Sequence, residues 1–310
     1  MKRITAVLIA LVFIIQTSQN CFAAFETFNL GVKPMALVDT FSVLGDEPIG
    51  MIYNPAQTVQ MKYSALSTAF SKPNVGWGES DVNIYSAYYV HPMSDMAFGM
   101  GISYLGTNLN YAETIGTINF AVKYREIYDT PLSVAWGING KILSMKRGDP
   151  AKPWDPALKE MTLTRQTADV GLWLEYGSIV GGFSVANIVP ADFGVVVKSE
   201  IPQETRIGAG IRNILLGEKF KVTPSVEYTS RSGFSTLSGG LNFYLLKMLD
   251  FQIGASQDNL GFGMTVWMPR PEDREDEYNK STMRIDVSWL YPVSGIDTAG
   301  SPQIGLVFYF

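Results

Sequence analysis

The chain holds one cysteine and one histidine in 310 residues. A lone imidazole, His91, excludes metal ligation by paired histidines. It precedes Pro92 in what reads as a short turn, away from the rim or lipid boundary where a hydrolytic His would act. Cys21 lies upstream of an expected cleavage point, which leaves a mature chain without a thiol. That removes disulfide frameworks, thiolate metal sites and a cysteine nucleophile. Basic charge is also short: 24 Lys and Arg against 29 Asp and Glu give a net charge of −5, which argues against nucleic acid as a partner. No glycine-rich phosphate loop follows a strand and opens a helix. Asp46-Glu47 and the cluster Asp273, Glu275, Asp276, Glu277 lack the spacing of a calcium loop, and the second reads as a solvated charged loop. No catalytic residue, metal or cofactor is expected, and an enzyme is not the reading these residues favour.

Long apolar runs are scarce too. The one example, Ile4 to Ile15, is broken only by Thr5 and follows Lys2-Arg3. It is shorter than the roughly 20 residues of a membrane-spanning helix. Polar residues 16–20 then lead to Cys21-Phe22-Ala23, so residues 1–23 read as a secretory signal cleaved after Ala23. An acylated Cys21 is the alternative, but Ser18 and Asn20 suit lipoprotein processing poorly.

What the chain has instead is alternation. Met96, Phe98, Met100, Ile102 and Tyr104 stand against Ala97, Gly99, Gly101 and Ser103. Similar patterns cover 117–124, 132–139, 220–228 and 284–291. Period 2 over such lengths fits strands. Weaker candidates near 63–70, 81–90, 169–176, 179–187, 203–212, 236–246, 250–257 and 259–268, with the terminal strand, bring the total to about fourteen, an even number as bacterial barrels require. A soluble sandwich also alternates, but here the second face is rich in Gly, Ala, Ser and Asn, leaving space inside a closed wall. Tyr85, Tyr88, Tyr89, Tyr104, Tyr124, Trp289 and Tyr291 fit aromatic girdles.

The chain ends in Gln303-Ile304-Gly305-Leu306-Val307-Phe308-Tyr309-Phe310. Ile304, Leu306, Phe308 and Phe310 share one face, a stripe suited to lipid and hazardous in water. Gln303, Gly305, Phe308 and Phe310 are the expected assembly signal of an outer-membrane barrel. Short connections at 91–94, 128–130 and 177–178 read as periplasmic turns, and 71–80, 105–113, 145–163 and 188–202 as outer loops. Residues 269–280 break this rule: either a charged periplasmic loop lies there or one strand is misplaced.

Residues 24–60 alternate poorly. They contain Phe41, then Gly45-Asp46-Glu47-Pro48, then Tyr53-Asn54-Pro55-Ala56. On physical grounds Asn54-Pro55 favours a tight turn, because Asn bonds its own backbone and Pro fixes φ. This order resembles the N-terminal segment of the FadL-like family of outer-membrane barrels, which includes PorV-type proteins. Residues 182–188, 201–208, 224–228, 259–264, 284–288 and 303–306 continue the PorV-type resemblance in order. Two departures stand out: Ala36-Leu37-Val38-Asp39-Thr40 where the family has a glycine-rich run, and Gln57 where Gly commonly follows Asn-Pro-Ala. The resemblance implies an all-β, fourteen-stranded transmembrane antiparallel barrel over 61–310. It also implies that residues 24–60 form a hatch in the lumen, with Asp46, Glu47, Tyr53, Asn54 and Pro55 as its ligand or hatch residues. Expected partners are outer-membrane lipid, the barrel assembly machinery, and hydrophobic small molecules or secreted proteins. Uptake of hydrophobic compounds is the first functional expectation, and a PorV-type accessory role in protein secretion the alternative.

Overall fold

The computed structural model describes residues 25, 30–45, 47–76, 82–108, 110–125, 127, 130–148, 161–194, 198–216, 220–246, 248–268, 282–293 and 298–310. The expected signal (1–23), Asp46 and the charged segment 269–281 lie outside them.

Fifteen strands form one antiparallel sheet: β1 (Ala65–Ser71), β2 (Val82–Met93), β3 (Met96–Thr107), β4 (Ala112–Tyr124), β5 (Leu132–Arg147), β6 (Met161–Tyr176), β7 (Ile179–Ala186), β8 (Glu204–Ile211), β9 (Ile214–Leu215), β10 (Lys221–Arg231), β11 (Phe234–Leu246), β12 (Leu249–Ser256), β13 (Asn259–Met268), β14 (Thr282–Pro292) and β15 (Ser301–Tyr309). Each main strand pairs with its neighbours in sequence. The ring closes where β15 meets β1, with Tyr309 opposite Ala65 and Gln303 opposite Ser71. Ser225 pairs with Gly210 and Val222 with Ile214. Three residues therefore face two, a β-bulge that makes β9 the continuation of β8. Counting those two as one leaves a closed barrel of fourteen strands, which has no unpaired edge along its sealed height.

The alternation is realised as expected on the outward face. Phe98, Met100, Ile102, Ile118, Leu172, Ile207, Phe262 and Ile304 project outward and are exposed. Phe120 packs between Phe98 and Trp136 on that face. Tyr88 corrects the girdle reading. It lies on the opposite parity to Tyr85 and Tyr89, so it points inward and is buried, its ring over the space where a Gly101 side chain would stand. A one-residue step on a strand switches faces.

Strand limits also correct the turn reading. β2 runs through His91 and Pro92 to Met93, and the turn is Ser94-Asp95, with Ser94 at φ 45°. The 177–178 turn stands as read, with Gly177 at φ 60°. β5 and β6 each span 16 residues, against 8 for β7 and β8. On the rim opposite the C-terminus β6 therefore rises well beyond β7, while β4 keeps pace with β5 up to Ala112 opposite Lys146.

The described residues of 30–60 contribute no wall strand. They form a short helix, α1 (Val32–Ala36), and two 3-10 turns, Pro48–Ile52 and Pro55–Gln60, each opened by a proline that needs no N–H donor there. Their apolar side chains, Leu37, Phe41, Val43, Ile49, Met51 and Tyr53, form one cluster with the inward-facing Ala97, Ala121, Ala135, Trp173 and Val307. The core of this molecule lies inside the ring.

Candidate functional site

The wall admits this inner segment because its inward positions are often glycine. A Cβ on Gly254 would stand 2.4 Å from the carbonyl carbon of Leu37, one on Gly261 2.5 Å from Ala36 O, and one on Gly137 2.5 Å from Pro55. These are backbone atoms that no side-chain rotation can clear. Gly171, Gly182, Gly208 and Gly240 make comparable approaches to Asn54, Ser42 and Thr40. The small face noted in the sequence thus corresponds to a seat that the segment fills.

Polar bonds hold the segment to the seat. Glu227 on β10 accepts from the backbone N–H of Phe41 at 3.1 Å and of Ser42 at 2.9 Å. Arg206 on β8 pairs with Glu227 at 2.8 Å and Glu204 at 2.6 Å, with its guanidinium 4.9 Å over the Tyr53 ring. All three charged groups are buried. Such a triad is retained only with its partners in place, since an unpaired buried charge is costly. Arg212 donates to the carbonyls of Val43 and Leu44, and Trp173 Nε1 donates to Val43 O at 3.2 Å.

Tyr53 donates its hydroxyl to Leu30 O at 2.9 Å, with an Asp39 carboxylate oxygen 3.1 Å away. Asn54 caps the second 3-10 turn by accepting from Ala56 N at 3.0 Å, while its amide donates to Ser42 O and to Leu172 O in the wall. Pro55 opens that turn, and its carbonyl accepts from Asn119 at 3.1 Å. Glu47 bonds Arg284 of β14, which also meets Asp286 at 2.9 Å. Four of the five inner residues singled out in the sequence therefore lie in this seat; Asp46 is outside the described residues. At the closure, Gln303 and Gly305 face inward and Phe310 outward, Gly305 with Val32 against it.

The residues missed in the sequence are the wall partners: Arg206, Glu227, Arg212, Trp173 and Arg284. Their signal was a charged or bulky residue on the small, inward parity of a strand.

At the rim opposite the C-terminus a second closure appears. Phe25 is buried against Phe193, ring centroids 4.7 Å apart, together with Leu143, Met145, Ala191 and Ile201. Phe25 N donates to Glu113 at 2.8 Å, and Arg231 donates to Phe25 O at 2.9 Å. Asp192 accepts from the backbone N–H of Ser199 and Gly194, which holds its carboxyl below the ordinary value of 3.8. Between Gly31, Glu47, Ser67, Ser86 and Gly305 lies a cavity with room for about one water.

The family model of the type IX secretion system membrane protein PorP/SprF matches residues 49–282. No curated protein sequence matches the chain. Among solved structures, the Ralstonia pickettii toluene transporter TbuX is similar at 12% identity and TM-score 0.58, covering 92% of this chain and 98% of that one. A Pseudomonas aeruginosa FadL homologue is similar at 9% identity and TM-score 0.54, covering 93% and 98%. The Pseudomonas putida toluene transporter TodX is similar at 12% identity and TM-score 0.55, covering 92% and 98%. At these identities the likeness is one of fold: a FadL-like barrel.

Proposed function

The chain belongs to the PorP/SprF family of type IX secretion system membrane proteins and is an outer-membrane β-barrel; on that premise we propose that it is a closed accessory barrel of protein export, its lumen stoppered by residues 24–60 acting as a hatch. The observation that carries this reading is the fit of the segment's backbone against glycines of the wall. Neither side can move apart without breaking the buried bonds of Glu227 to Phe41 and Ser42 and of Arg284 to Glu47. A barrel whose interior is spent on a fixed stopper offers a rigid wall and shaped outer loops, which is what a docking platform for exported polypeptides requires.

Uptake of a hydrophobic small molecule is the second reading. It draws on the fold shared with the toluene transporters and on the apolar mouth lined by Leu143, Met145 and Leu163. In this chain Phe25 and Phe193 fill that mouth, so a ligand has to displace both.

Deleting the gene separates the readings. The accessory role predicts that one or more exported proteins disappear from the cell surface while uptake of a monoaromatic hydrocarbon is unchanged. Impaired uptake with an intact surface proteome contradicts it.

A further inference from the structure

On one side β6 is paired along its whole length, from Arg147 opposite Met161 to Leu132 opposite Tyr176. On its other side β7 accompanies it only from Val170 to Tyr176. The next contact above is Ile188 N donating to Ala168 O at 2.9 Å, after which the chain turns inward towards Phe193. Because Ala168 aims its carbonyl at the β7 side, the period of the strand aims Thr162, Thr164 and Gln166 the same way. Among the described residues no backbone group pairs with these three from that side. Among the described residues the Thr164 carbonyl accepts only from the guanidinium of Arg165 at 2.9 Å.

The outward face changes character at the same height. Val170, Leu172, Leu174 and Tyr176 are apolar and exposed, as a lipid-facing row must be. Thr162, Thr164 and Gln166 continue that row with polar side chains; Gln166 stands beside the exposed Ile142 of β5 at the lipid boundary, and residues 162–164, beside Ser144 and Lys146, stand above it in water. Lipid does not cover them. Natural sheets blunt such edges with proline, lysine or a bulge. Here the open row is Thr, Thr and Gln, two of them β-branched and well suited to a strand.

We propose that the projecting edge of β6, residues 161–166, is a strand-addition site for an extended segment of an exported polypeptide. Its recognition is by main chain: the N–H groups of Thr162, Thr164 and Gln166 and their carbonyls fit a second backbone antiparallel or parallel to β6. Side-chain demands are slight, so polypeptides of differing sequence fit one edge. This partner class rests on the accessory reading above; the edge itself rests on the pairing and polarity of β6.

The test uses the full chain in its own bacterium. Thr164→Pro removes one open N–H and leaves the β5 ladder intact, because proline is tolerated where the N–H faces outward. Thr162→Pro, nearer the strand end, is the milder second variant, and heat-modifiable migration verifies that each barrel is folded. A photo-crosslinking residue at position 164 is compared with one at Leu172 in the lipid row. Surface display of the proteins lost in a gene deletion is expected to fall by about tenfold in the folded proline variants. One of those proteins is expected to crosslink at 164 and not at 172. Wild-type display in both folded variants, or a crosslink at 164 to a second copy of this chain, overturns the edge and leaves the accessory reading standing. A deletion that changes no surface protein overturns the accessory reading, and with it the partner assigned to the edge.

Discussion

Around residues 36–56 the inner segment meets the wall backbone to backbone, at glycines with no side chain to yield. At the outer mouth, Phe25 and the described residues 187–194 and 198–203 meet it mainly through side chains. The deep seat combines close packing with buried charge: Gly254 against Leu37, Gly137 against Pro55, and Glu227 on two consecutive amides. The outer closure is a ring pair and a few hydrogen bonds. Backbone contacts have no alternative rotamers, so the deep seat is all or none. The outer closure can loosen by degrees, and a functional element that moves is drawn from such weakly held regions.

Breaking the deep seat has the largest expected effect. Arg206→Met leaves Glu227 buried without its cation and Glu204 with Arg231 at 3.9 Å, a loss of about 3–5 kcal/mol. It is expected to unseat the segment, read as new protease cleavage between residues 30 and 60 in an otherwise folded barrel. Gly254→Val is the steric counterpart, costing about 1–3 kcal/mol through overpacking against the Leu37 backbone. It is expected to expose the same region to protease without altering any charge. If either variant leaves residues 30–60 protected, the seat is less rigid than argued.

The outer closure responds more weakly. Phe193→Leu gives up the ring contact with Phe25 for a loss of about 1 kcal/mol. Faster amide exchange is expected in 191–194 and 198–201, with exchange in α1 unchanged. The smallest effect is that of acid on Asp192. Its folded pKa is lowered, so its contribution is fully present above 3.8 and fades only as pH falls through the lower folded value. Amide shifts of Gly194 and Ser199 are therefore expected to hold from neutral pH down to that point and move only below it. Movement between pH 5 and 7 contradicts the assignment.

The same contrast explains what the sequence made legible. Outward residues answer to lipid, a uniform solvent, so Met96 to Tyr104 or Ile285 to Tyr291 can be read from period 2 alone. The strand count follows from that. Inward residues answer to one another over long separations. Glu227 and Ser42 stand 185 residues apart, and nothing local in either ties them together. Asn54-Pro55 was readable as a turn because its chemistry is local, whereas Trp173 and Arg284 were not readable as its neighbours. Local signals also misplaced boundaries. Pro92 suggested a turn, but it sits near the end of β2 opposite Ala97, and the turn falls at Ser94-Asp95. The height of β5 and β6 was hidden because their upper outward residues, such as Lys146 and Thr162, are polar and read as loop.

Single-channel recording of the full mature chain in a planar lipid bilayer tests the central claim most directly. A barrel stoppered by residues 24–60 is expected to show no steady conductance in the wild type and frequent open events in Arg206→Met and Gly254→Val. A wild-type protein that conducts steadily, at a level the two variants do not raise, contradicts the account.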